Sequence, residues 1–140
     1  MKKLILGLLL IIGAVACSYA QCEKRVIIVS SLTEHIKAGE VERTKEETST
    51  IEFDAKEIHI SPGDDAPITG TIKSTTCEWK TPFKEGKSVV KATVTDPQGQ
   101  TFNITVTVEG KEGKISFLLE IEEQPDRKIR LVVDKFEVKK

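Results

Sequence analysis

From Ser88 to Val138 the chain alternates apolar and polar residues with a period of two. Val90, Ala92 and Val94 alternate with Lys91, Thr93 and Thr95, and Phe102, Ile104, Val106 and Val108 alternate with Asn103, Thr105 and Thr107. Ile115, Phe117, Leu119 and Ile121 make a third apolar row, and a last strand is expected from Lys128 to about Val138. Successive strand side chains point to opposite faces, so each row marks one buried face. The breaks are Asp96-Pro97-Gln98-Gly99, Gly110-Lys111-Glu112-Gly113 and Gln124-Pro125-Asp126-Arg127. Proline presets φ for a turn and glycine tolerates positive φ. Turns this short leave no room for the crossover that parallel pairing needs, so the strands form an antiparallel meander. The last strand changes phase, with Ile129, Leu131 and Val133 on one face and Phe136 and Val138 on the other. Either a bulge near Asp134 or burial on both faces accounts for that.

The upstream half is less regular. Val26 to Val29 reads as a strand. Ile51 with Phe53 and Ile58 with Ile60 read as a hairpin around Asp54-Ala55-Lys56-Glu57, and Ser61 to Asp65 as the loop after it. Ile68 to Ile72 and Cys77 to Trp79 suggest two more short strands. About eight or nine strands in about 120 residues suit an all-β barrel or a two-sheet sandwich, and successive hairpins favour the barrel. Ser31 to Glu34 fits a capping box, Leu32 and Ile36 lie one helical turn apart, and Gly39 suits a helix end. One short helix is therefore expected there, followed by an exposed strand or mobile loop over Val41 to Ser49.

The first residues carry a different message. Met1-Lys2-Lys3 and the apolar run Leu4 to Ile12 have the form of an export signal, too short to span a bilayer as a helix. Residues 1–20 are read as that signal and 21–140 as a single antiparallel β domain. Cleavage after Ser18-Tyr19-Ala20 gives a free protein, periplasmic or extracellular. Alternatively, Ala14-Val15-Ala16-Cys17 resembles a lipobox, and lipidation at Cys17 gives a membrane-anchored lipoprotein. Both readings leave Cys22 and Cys77, an expected disulfide in an oxidising compartment.

The chain has 21 Lys and Arg against 22 Asp and Glu, and removing 1–20 takes away only Lys2 and Lys3. That balance lacks the basic excess of a nucleic-acid binder. Contact with membranes is expected only through the lipid anchor.

Signals for catalysis are weak. His59 lies between Ile58 and Ile60 and should point outward, and His35 is read as a surface residue. There is no HxH, HExxH or GxSxG spacing, and Asp64-Asp65 lacks the spaced ligands of a calcium loop. No catalytic residue, metal or cofactor is expected. Asn103-Ile104-Thr105 matches a glycosylation sequon but sits within a strand. The segment Cys77 to Phe83 is the most distinctive, since it gathers the sole Trp with a Pro, a Phe and a Cys. Trp79 and Phe83 are the residues expected to contact a ligand or partner if exposed. If buried, Trp79 packs the core beside the disulfide.

In signal, all-β domain and C-terminal meander, the chain resembles small exported bacterial proteins of unassigned function, some of which have lipocalin-like barrels. The β architecture and the absence of catalytic motifs point to a non-enzymatic binding module for a small apolar ligand, a glycan or a protein partner. The alternative is a structural envelope lipoprotein anchored through Cys17.

Overall fold

The structure, a computed structural model, describes Cys22, residues 24–63 and residues 65–139. The export segment, Cys17 and Asp64 lie outside the described residues. Eight strands follow one another: β1 (Val26–Lys37), β2 (Glu40–Phe53), β3 (Glu57–Pro62), β4 (Ile68–Thr81), β5 (Glu85–Thr95), β6 (Thr101–Lys111), β7 (Lys114–Ile121) and β8 (Gln124–Val138). Each pairs antiparallel with the next, and β1 pairs with β8 to close a barrel. Closure joins the first strand to the last, while the outer half of β2 and the second half of β4 are each paired on one side only, because β3 between them is short.

The alternating rows of the sequence become the inner wall. Ile104, Val106 and Val108 of β6 and Phe117 and Leu119 of β7 are buried, with Val90, Ala92 and Val94 of β5 beside them. Hairpin geometry follows the turn residues. Ala38-Gly39 and Glu112-Gly113 both take positive φ at two successive positions, the twist that two-residue hairpins favour. Asp54 Oδ1 accepts from the amides of Lys56 and Glu57, and Asp96 Oδ1 from those of Gln98 and Gln100, so an aspartate shapes each longer turn.

Three expectations change in detail, and two open alternatives are decided. The stretch expected to be helical is the second half of β1, hydrogen-bonded on one side to β2 and on the other to β8. A register irregularity between Ser30 and Leu32 shifts the phase, so that Ser30 and Thr33 are both buried. Ser30 Oγ donates to the Leu32 carbonyl at 2.9 Å and accepts the Leu32 amide at 3.2 Å. Leu32 and Ile36, which suggested a helical turn, are only half-buried, and Gly39 ends β1 in a hairpin turn rather than a helix. The charged segment Val41 to Ser49 is strand, the outer half of β2. Ile68 to Trp79 is one strand rather than two, with an irregularity between Ile72 and Ser74. The last turn is Glu122-Glu123, and Pro125 opens β8 instead of breaking the chain before it. The phase change near Asp134 is a bulge, because Val29 faces Lys135 while Ser30 faces Val133.

Candidate functional site

The two ends of the barrel are built differently. One end carries the start of β1, the end of β8 and the disulfide, Cys22 to Cys77, with Cα atoms 6.0 Å apart. Trp79, 5% exposed, lies beneath it and donates from Nε1 to Ser88 Oγ at 2.7 Å. Phe136 packs against Trp79 at 5.7 Å between ring centres, and Phe83 meets Phe136 edge-on at 4.7 Å. A Cβ at Gly110 would lie 2.8 Å from Trp79 Cζ3, and one at Gly86 would lie 2.7 Å from Trp79 Cδ2. The indole therefore occupies space that only glycines leave on the facing strands. This end is a packed aromatic plug.

The other end is open. A cup of about 350 Å³ descends from the mouth towards Ile51, Phe117 and Leu131. Volumes of roughly 300–1,000 Å³ are usual for small-molecule sites. Its wall is divided. The side from β3 to β8 contributes Ile60, Ile68, Phe102, Ile104, Leu119 and Ile129. The side from β1 and β2 contributes Thr33, His35, Arg43, Lys45, Glu47 and Ser49. Cross-strand register builds this division, since Thr33 faces Lys45 on one side and Leu131 on the other, and His35 faces Arg43 and Ile129. A second hollow of about 470 Å³ adjoins the cup and shares His35, Arg43, Ile121 and Ile129 with it. Ile36, Glu42, Gln124, Arg127 and Lys128 complete it.

The polar half has definite electrostatics. Lys45 pairs with Glu47 at 3.3 Å, and Lys128 with Glu120 at 3.5 Å. Arg43 Nη2 lies 3.4 Å from His35 Nε2. Guanidinium can only donate, so a hydrogen bond here requires Nε2 to accept, which the neutral imidazole can do. Burial, reinforced by Arg43, holds the His35 pKa below its ordinary value. Thr33, 4% exposed, has a buried Oγ1 with no hydrogen-bond partner among the described residues. Buried hydroxyls ordinarily find partners, so this atom is an exception inside the one wall that is polar.

The sequence-selected residues fall at the opposite end. Trp79 is buried and Phe83 half-buried in the plug, with the Cys22–Cys77 bond above them, so the indole takes the core placement rather than a surface one. His59 points outward, 3.4 Å from Glu57 Oε1. The Asn103 side chain is engaged, donating from Nδ2 to Glu123 and accepting from Lys73 and Thr93. Among the described residues no cluster of three His, Cys, Asp or Glu is placed to hold a metal. Sequence reading missed the mouth, although one signal was available. The inward row Phe53, Ile51, Ser49 continues at period two through Glu47, Lys45 and Arg43, which marks a barrel wall turning polar towards its rim. Comparison with protein-family models, curated proteins and solved structures finds no match to this chain.

Proposed function

We propose that the protein is an exported, non-catalytic binding module that holds a small apolar ligand in the open end of its barrel. The observation that supports this reading is the cup itself, concave, largely apolar, and set in a rigid closed sheet. A core made only for stability would fill that volume, since unfilled apolar space costs packing energy. The lower half of the barrel is filled in this way, by Trp79, Phe53 and Phe136. Titration calorimetry with octanol tests the reading. Saturable binding is expected, and Leu119→Trp, which places an indole in the cup, should abolish it. Ile104→Phe provides a second, milder filling, and thermal unfolding checks that each variant is folded. Octanol that fails to bind the wild type would overturn the reading, as would full binding by both folded, filled variants. Native mass spectrometry of protein from its own host should find a bound small molecule.

A second reading, the envelope lipoprotein anchored through Cys17, draws support from the position of Cys22. That residue is tied to the plugged end, and a chain reaches only about 3.5 Å per residue. A lipid on Cys17 would hold the plug towards the membrane and leave the mouth facing away. Cell fractionation of a Cys17→Ala variant tests the tether, and an unchanged location would rule it out.

A further inference from the structure

We propose that the occupant of the cup is an anionic amphiphile, with its tail on the apolar wall and its head held at the mouth by Arg43 and Arg127. The inference rests on the binding reading above and adds the chemistry of the ligand.

Two observations meet at the mouth. The first is the two-faced wall, apolar from β3 to β8 and polar on β1 and β2, which suits a molecule with two unlike ends. The second is the state of the arginines. Elsewhere on this barrel arginines are committed: Arg25 binds Glu52, Asp54 and Glu57, and Arg130 makes a two-pronged contact with Glu34 at 3.0 and 3.1 Å. Arg43 and Arg127 pair with no carboxylate among the described residues, and both line the hollow that continues the cup.

The acids near the mouth do not cancel this. Glu47 is paired with Lys45, and Lys128 with Glu120. Asp96 is occupied by backbone amides, and with Asp65 it lies on the β3–β6 side, across from the arginines. Glu42 alone shares the hollow with Arg43 and Arg127. A guanidinium fork matches a carboxylate or phosphate and binds it through paired charge-assisted hydrogen bonds. Thr33 Oγ1, deeper on the same wall as His35, offers a further hydroxyl to a polar group entering past Arg43. A cationic head would instead meet two guanidinium groups.

Titration calorimetry with three amphiphiles of one tail and different heads tests the assignment: octanoate, octanol and octyltrimethylammonium. Octyl phosphate is a second anionic probe that separates phosphate from carboxylate preference. At low salt, octanoate or octyl phosphate should bind at least about tenfold more tightly than octyltrimethylammonium, the size expected of a charged hydrogen bond. The double variant Arg43→Gln/Arg127→Gln should erase that gap. If octanol binds while the anions bind no better, or the double variant keeps the gap, the head assignment falls and the cup reading stands. Tighter binding of octyltrimethylammonium overturns the assignment as well. If none of the four binds, the cup reading fails and takes the assignment with it.

Discussion

Trp79 shows how much of this molecule rests on single positions. Its ring is seated against Gly86 and Gly110 and fixed by Ser88, so the bulkiest side chain of the domain depends on two missing ones. A methyl group at position 110 would meet Lys84 O at 2.7 Å and Ile115 Cδ1 at 3.0 Å as well as the indole. Gly110→Ala should therefore cost about 1–3 kcal/mol, the range for overpacking a filled core, measured by denaturant unfolding. Fluorescence of the sole Trp would report the displaced ring directly. The importance of Cys77 and Trp79 was legible in the sequence because rare residue types stood together. Gly86 and Gly110 were not legible as partners of the indole, because that depends on the register that sets Trp79 opposite Gly86 and Gly86 opposite Gly110. His35 was legible only as a surface residue, since its place beside Arg43 depends on pairing across a hairpin. Ser30 is a third such residue. Its hydroxyl bonds both backbone groups of Leu32, and Ser30→Ala should lose about 1 kcal/mol of stability.

Among the elements, β6 and β7 were plain in the sequence because each has one buried face and an unbroken period of two. β1 was not, because its period breaks at Ser30 and Leu32 and Ile36 lie one helical turn apart. Pairing on both sides settles the matter: a strand between two neighbours satisfies its backbone groups along both edges, which outweighs a local capping signal. The ends of β1, β2 and β8 are also linked by charge. Arg25, just before β1, contacts Glu52, Asp54 and Glu57, and Lys139, just after β8, contacts Glu52. Lys139, against a smaller cost of burial, lowers the Glu52 pKa, and Arg25 lowers it further. Burial tends to raise the Asp54 pKa, but the amides of Glu57 and Lys56 and the Arg25 guanidinium together bring it below its ordinary value. Both carboxylates are thus more acidic folded than unfolded. Their contribution is present above the unfolded value, about 4, and is lost as pH falls through the folded values. Thermal unfolding followed from neutral pH to about pH 3 should show a falling midpoint. A Glu52→Gln/Asp54→Asn variant should fall less steeply over that window.

At the scale of the whole molecule, the disulfide and the closing of the ring act on different spans of chain. The Cys22–Cys77 bond encloses a separation of 55 residues, and removing it should cost about 2–5 kcal/mol in the manner of small secreted domains. Unfolding of a Cys22→Ser/Cys77→Ser variant measures this. The all-β class and the meander could be read from hairpin spacing. The barrel could not be separated from a sandwich that way, because the deciding contact joins the first strand to the last. The open cup was equally illegible, since Ile104, Val106, Phe117 and Leu119 are large enough to fill a barrel, yet Ile104, Phe117 and Leu119 line the cup without closing it. The contact between β1 and β8 also sets an order of events. Glu34 and Arg130, which face each other across it, are 96 residues apart in the chain. A chain that emerges N-terminus first presents β1 long before its partner exists, and distant contacts of this kind form late. Cys77 emerges well before Arg130, so the covalent link can be made while the ring is still an open sheet. The β1–β8 seam is then the final joint to close, yet with eleven paired positions it is not the thinnest: β3 is held by five to β2 and four to β4, so hydrogen exchange along β3 should be faster than along β1.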